Sequence, residues 1–509
     1  MARDQSVTVS RREFLTTAFI GLVPKSGRRI AGALVNESVT IGHQLRDRLP
    51  FAKPRETIRL PLVIIGGGIA GLSAAWRLHK RGFREFKLLE MESEAGGNAR
   101  WGRNEVSAFP WGAHYVPVPG QSLGLVRELF EDLGLFDGRR FDERHLVHAP
   151  RERLFIHGRW QEGLEPAVGP ARRDHDQIDR FEDRMRDFAS TGRFKLPIAA
   201  GRGGTDNVED TLSMASWLDR ERFDSPWLRW IVDYACRDDY GALAGDVSAW
   251  AGIHYFAARD SDSEGGPLTW PEGNGHIVRL LLERLQPMVQ TAAPAYRVER
   301  RDGRWHVMTP NTEWVADSVI VATPLLVASR IVEGMPAADT VYSPWITANL
   351  TLDRWPQERG FGPAWDNVLF DSPALGYVVA THQSLRIHVP ETVWTYYWAL
   401  AVGSPTAQRQ WLLGQDWLSL KDGILADLSR AHPDLSDCVT RIDIMRLGHA
   451  MIRPTPGFLT SPIRQYVQKG RERLFFAHSD VSGLPLFEEA QFRGVAAADA
   501  ALHAIGRVT

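Results

Sequence analysis

A chain of 509 residues, 44% hydrophobic and 24% charged, has an ordinary globular composition and room for two or more domain cores. Its net charge of −2, with no long run of one sign beyond residue 40, argues against a nucleic-acid surface. Two cysteines, Cys236 and Cys438, cannot supply a disulfide framework or a metal cluster, so no metal site is expected.

The N-terminus reads as an address. Ser10-Arg11-Arg12-Glu13-Phe14-Leu15 is a twin-arginine pattern, and a short apolar run follows from Phe14 to Val23. Such a run is far shorter than the ~20 residues needed to span a hydrocarbon core, which predicts a signal segment and no stable membrane span. The pattern predicts the twin-arginine export machinery as a partner and a periplasmic or otherwise exported bacterial location. Residues 1–33 are assigned to the signal, with Ala31-Gly32-Ala33 as the cleavage candidate, although Lys25, Arg28 and Arg29 are unusual after the apolar run. Residues 34–57 read as a lead-in.

The most informative stretch comes next. Leu62-Val63-Ile64-Ile65 is an apolar strand pattern that runs into Gly66-Gly67-Gly68-Ile69-Ala70-Gly71, a G-x-G-x-x-G turn. A helix-compatible segment, Leu72 to Leu78, stops near Gly82, and a second strand, Phe86 to Leu89, ends on Glu90. In such a βαβ unit, Gly66 permits the tight turn, Gly68 lets backbone approach a pyrophosphate, and Gly71 allows close helix–strand packing, with Ala70 in the same turn. The helix N-terminus offers free N–H groups to the anion, and Glu90 stands where a carboxylate takes ribose hydroxyls.

A second glycine pair follows in Ala95-Gly96-Gly97-Asn98-Ala99-Arg100. It suits a cofactor whose pyrophosphate and chain run over more backbone. These residues resemble the flavin-containing amine oxidase superfamily, which includes phytoene-desaturase-like and protoporphyrinogen-oxidase-like proteins. Further segments resemble the same family in its own order: Trp111-Gly112-Ala113-His114-Tyr115, Trp270 to His276, Ala295 to Val298, Val315 to Pro324, and Arg473 to Asp480 followed by Phe487 to Ala497. The resemblance spans about residues 58–505. It implies FAD held by Gly66, Gly68, Ala70, Gly71, Glu90, Gly96, Gly97, Asn98, Arg100, Gly112, Ala113, Val298, Asp480, Glu489 and Ala490. It places Val298 at the adenine and Asp480 at the ribityl or pyrophosphate group. His478 is expected to contact cofactor or backbone.

The implied fold is α/β: a Rossmann-type FAD-binding domain built discontinuously from 58–120, 265–335 and 470–509, with an inserted α+β substrate domain from 121–264 and 336–469. The first insertion reads as mostly helical, with helices expected over Ser122–Leu133 and Trp217–Tyr234 and a loop over Pro197–Asn207. The second reads as strands over Trp345–Leu352 and Val393–Ala401, then a helix over Gln410–Ala431.

Hydride transfer to flavin N5 needs no protein nucleophile, so the catalytic candidates are residues that furnish the ring face: His114, Tyr115, His449 and Phe487. His114 reads either as a base or orienting group or as a structural histidine bonding a loop carbonyl. The chain departs from the family in places. Leu486 takes the position of a cage aromatic, Glu489 that of a glycine, Asn98 that of an arginine, and Thr347–Leu352 lacks the family's lysine. Asp238, Asp239 and Glu264 read either as acids that attract a cationic amine or, as such pairs usually are, as a solvated face. The expectation is an exported FAD-dependent oxidoreductase acting on a small organic molecule, such as an amine, with oxygen or a quinone-linked carrier accepting electrons. A desaturase- or isomerase-like flavoenzyme for a hydrophobic substrate and a low-turnover binding flavoprotein are the alternatives.

Overall fold

A computed structural model describes residues 28–35, 38–202, 207–259, 266–385 and 388–506. The twin-arginine pattern and Glu264 lie outside them. The elements that position the site are, in chain order, β1 (Leu34–Val35), α1 (Val39–Arg46), β2 (Glu56–Ile65), α2 (Ile69–Lys80), β3 (Phe86–Leu89), β4 (Thr312–Val321), β5 (Val439–Ile452) and α3 (Phe487–Ala504).

The first sheet has the order Val289–Gln290, β3, β2, β4, Arg304–Met308, Arg297–Arg301, with Leu474–Phe476 also pairing β4. β2 runs parallel to β3 in register Leu62↔Phe86 and parallel to β4 in register Leu62↔Ser318. A parallel sheet must be covered on both faces, and successive side chains of β2 therefore enter different cores. Leu62 and Ile64 pack with Leu72, Val495 and Ala498 of α2 and α3, whereas Val63 and Ile65 pack with Ile331 and Ile463 on the far side. This is a Rossmann-like α/β unit, assembled from separated stretches of chain.

The second sheet has eight strands in the order β1, β5, Tyr342–Leu352, Thr392–Ala399, Gly376–Val379, Asp366–Leu369, Glu152–Ile156, Arg159–Glu162. Helices Pro405–Gly414 and Trp417–Leu428 share one core with it. A third core joins helices Arg172–Ser190, Pro226–Tyr240 and Ala249–Ala257 around Phe181, Trp217, Trp250 and Leu228.

Local differences from the sequence expectations have plain causes. The helix expected over Trp217–Tyr234 is two, Met214–Arg220 and Pro226–Tyr240, because the Ser225 side chain caps the second and Pro226 opens it. Likewise Gln410–Ala431 divides into Pro405–Gly414 and Trp417–Leu428, where the Asp416 side chain accepts the Ser419 N–H. Ala31 and Ala33, expected at a cleavage site, are hydrogen-bonded along β5 through Thr440, Ile442 and Ile444. Both cysteines are free and buried. Among the described residues no helix is long and apolar enough to cross a membrane.

Candidate functional site

At the carboxyl ends of β2, β3 and β4 lies a cavity of about 850 Å³, within the range of about 300–1,000 Å³ typical of cofactor sites. The turn after β2 forms its floor. Gly66 has φ +105°, and a Cβ at Gly71 would lie 1.9 Å from the Gly66 carbonyl oxygen, so both glycines are required by geometry. Gly97, at φ +57°, approaches so closely that its Cβ would lie 3.1 Å from the Gly68 Cα. The two glycine turns thus face each other as a backbone cradle with room only for a ligand beside them. α2 starts at Ile69 with no side-chain cap, leaving its first N–H groups and positive dipole end for an anion.

Glu90 ends β3 inside this cavity. Its Oε2 accepts the Gly67 N–H at 2.6 Å and its Oε1 accepts the Glu92 N–H at 2.9 Å. Burial pushes its carboxyl above the usual range, with these two donors opposing the shift. The arrangement fixes the carboxylate rigidly and leaves its remaining lone pairs for hydroxyl donors. Asn98 ties the second turn to the other sheet, its Nδ2 donating to the Ala450 carbonyl at 2.6 Å. Arg100 lies 3.8 Å from Glu92.

The opposite end of the cavity is set by Asp480 and α3. Asp480 is buried. It accepts the Leu325 N–H at 2.9 Å and the Tyr342 hydroxyl, with the His478 ring 3.0 Å away. Burial raises its carboxyl, but His478 and Tyr342 outweigh that and hold it below the usual range. α3 begins at Phe487 without a side-chain cap, and Leu486, Phe487 and Ala490 line the cavity at that terminus. Its dipole favours negative charge on a group placed there. Arg46, Arg330, Arg409 and Arg446 line the mouth with His449, which burial and then Arg409, Arg330 and Arg46 push down to about 4. His449 is therefore a neutral imidazole near pH 7.

The cavity brings together Gly66, Gly68, Ala70, Glu90, Gly96, Gly97, Asn98, Arg100, Ala113, His449, Asp480, Phe487 and Ala490 from the expected set. Six others stand outside its lining. Gly71 and Gly112 support it from behind, Gly112 because a Cβ would lie 2.3 Å from the Asn98 carbonyl oxygen. Val298 is buried within its sheet, and its carbonyl accepts the Glu333 N–H, so the backbone that reaches the cavity there is Pro294–Ala295. Glu489 turns its carboxylate to the Ser482 hydroxyl and the Ile198 N–H, away from the ring end. His114 stacks on Tyr397 at 4.7 Å and bonds the Gly112 backbone, and burial pushes it down to about 3. Its role in this geometry is the structural one, a neutral ring bonding a loop carbonyl. Tyr115 sits beside it and bonds Asp238, and burial raises its hydroxyl.

Three contributors escaped sequence reasoning: Asn274, Thr323 and the residues of α1. Asn274 Oδ1 and Thr323 Oγ1 are buried in the cavity wall without hydrogen-bond partners. Orphaned polar atoms cost on the order of 1–3 kcal/mol each unless a ligand satisfies them. The signal for Asn274 was present in Gly273-Asn274-Gly275; none marked α1. The glycine cradle, the two uncapped helix termini, the ribose-directed acid and these orphaned atoms together fit FAD.

The flavin containing amine oxidoreductase family matches residues 69–502. The chain is 25% identical over 281 residues to bovine (Bos taurus) amine oxidase [flavin-containing] B, covering 53% of this chain and 51% of that protein. It thus spans about half or less of the curated relatives it matches. A double mutant of putrescine oxidase superimposes with a TM-score of 0.69 at 17% identity, over 88% of this chain and 100% of that one. The CLA-producing fatty acid isomerase from P. acnes does so at 0.63 and 15%, over 87% and 98%. The chain is a member of the flavin-containing amine oxidoreductase family, an FAD-dependent oxidoreductase.

Proposed function

We propose that this protein oxidises a small organic amine, follows the twin-arginine route out of the cytoplasm, and passes electrons to oxygen or a quinone-linked carrier. Bound FAD supplies a hydride acceptor at N5. The protein's residues bind and orient: Glu90 and the α2 terminus would hold the adenosine and diphosphate end, and the uncapped α3 terminus would favour the reduced, negative form of a ring placed there.

One observation favours a cationic substrate. Around Tyr115, two residues beyond the cavity-lining Ala113, lie carboxyls that are enclosed by the fold rather than set on a solvated face. Asp239 is buried and paired at 2.7 Å through both oxygens with Arg259. Asp238, bonded to Tyr115, is pushed up to about 7 by burial and by Asp239. Asp366 is also raised by burial, with Glu152 and Asp238 adding to the shift. An ammonium group that reached these carboxyls would favour their charged forms, as Arg259 does for Asp239. The second reading, a desaturase- or isomerase-like reaction on a hydrophobic substrate, draws on Leu486, an aliphatic residue on the ring-end wall.

Anaerobic bleaching of the flavin spectrum separates the readings. Bleaching by monoamines or polyamines, with peroxide on re-aeration, is the expected result. Bleaching by polyenes alone would replace the amine with the hydrophobic substrate, and no bleaching by either would overturn both.

A further inference from the structure

We propose that residues 31–35 and 38–55 act as a strap that seats on bound FAD and holds it captive between the two sheets. The inference concerns the cofactor and stands whatever the substrate is. The segment precedes the family-matched region, which begins at residue 69.

The strap is pinned at both ends to different bodies. At its start, β1 runs parallel to β5 in register Leu34↔Ile444, and the Ala31 N–H donates to Thr440 O at 2.9 Å. Gly32, at φ +146°, lies so close to β5 that a Cβ would stand 1.8 Å from the Ile442 carbonyl oxygen. At its end, Phe51 stacks on Tyr296 at 4.6 Å and the Arg55 N–H donates to Asn311 O at 2.9 Å, both on the first sheet's side. Between the anchors, α1 lies along the cavity.

The packing of α1 is unusual. None of its residues is buried, yet Val39, Gly42, His43, Leu45 and Arg46 all line the cofactor cavity. An eight-residue helix is marginal alone and draws its stability from what its face covers. Here much of that face looks onto the cofactor cavity. Two polar ties orient it: Ser38 Oγ donates to Glu92 Oε2 at 2.7 Å, and Arg330 donates to the Arg46 carbonyl at 2.9 Å. Arg330 and Arg46, the latter paired with Asp47 at 2.7 Å, add cationic side chains to the cavity lining. Departure of FAD past α1 therefore requires β1 to peel from β5 or α1 to lift from the mouth.

The test uses purified holoprotein and follows FAD release by the rise in free-flavin fluorescence after dilution. Gly32→Val forces β1 from β5 without altering a cavity-lining residue, and release is expected to accelerate at least tenfold. Hydrogen exchange over residues 31–35 reports whether the strand has separated. Separation with an unchanged release rate overturns the proposal. If that variant does not fold, Val39→Ser with Leu45→Ser changes only the cavity face of α1, and the same tenfold acceleration is expected; an unchanged rate overturns it. In the unaltered protein, FAD is expected to slow amide exchange in residues 39–46 at least tenfold. Equal exchange with and without FAD would also sink it.

Discussion

Replacing Gly71 by alanine tests the backbone cradle directly. The new methyl would lie 1.9 Å from the Gly66 carbonyl oxygen, with the Ala322 Cβ 3.3 Å away on another side. An ordinary carbon–oxygen contact needs more than about 3 Å, so α2 must withdraw from the turn by about an ångström. Gly66 is not free to yield instead, because its N–H is held by Leu89 O at 2.8 Å and a Cβ built on it would lie 2.8 Å from the Ala322 carbonyl oxygen. Overpacking of this kind costs about 1–3 kcal/mol. Because the shift moves the α2 terminus from the diphosphate, most of that cost is expected in binding, weakening FAD by roughly 5–150-fold at about 1.4 kcal/mol per tenfold. Titration of the apoprotein with FAD, followed by flavin fluorescence quenching, measures it, with circular dichroism confirming the helix. An affinity within twofold of wild type in a folded variant would refute the close-packing argument.

Glu90→Gln places an amide where two backbone N–H groups converge on a carboxylate, and leaving one donor unpaired costs about 1–3 kcal/mol; FAD affinity is expected to fall, measured by the same titration. Gly494→Ala sets a methyl 2.2 Å from the Ala70 carbonyl oxygen where α3 crosses α2, so the melting temperature is expected to drop by several degrees in differential scanning calorimetry. Burial pushes the Glu488 carboxyl up to about 7 from a usual 4.5, so its protonated form is favoured in the folded state and that stabilisation fades as pH rises from about 4.5 to 7. Glu488→Gln is therefore expected to be near neutral at pH 4.5 and stabilising by on the order of 1–3 kcal/mol at pH 8, read by denaturant titration at both. Asn98→Ala removes the tie to Ala450, and a loss of about 0.5–1.5 kcal/mol in the same measurement checks it.

Much of the cofactor half was legible because its chemistry is local. The β-branched run before Gly66, the glycine spacing and the acid at Glu90 each carry a physical meaning within a few residues, and the structure assembles them as one wall. The misplacements share a different character. Val298 lies within its strand, and the cavity instead meets Pro294–Ala295, because local pattern marks a strand without showing which residue reaches its end. Asp238 and Asp239 looked like a solvated pair, yet Arg259 and the surrounding tyrosines enclose them, a tertiary circumstance invisible in two adjacent letters. The breaks at Ser225-Pro226 and Asp416 were written in capping chemistry and outweighed by apolar periodicity that runs through both. Strands Glu152–Ile156 and Arg159–Glu162 joined the sheet through Asp366–Leu369, about two hundred residues further along the chain, and pairing at that separation leaves no local trace.

The position of β1 against β5 has a consequence for biosynthesis. Residues near 34 complete their sheet with residues near 444, and the cofactor wall begun at α2 closes only with α3, at Phe487–Ala504. A nascent chain from which α3 has not yet emerged lacks that wall, so flavin is enclosed only after residues 487–504 have been made. Contacts this distant along the chain make for slow acquisition of the native state. During that interval the unpaired edge of β5 is open to other strands, a period in which a chaperone bound near the N-terminus would have the greatest effect.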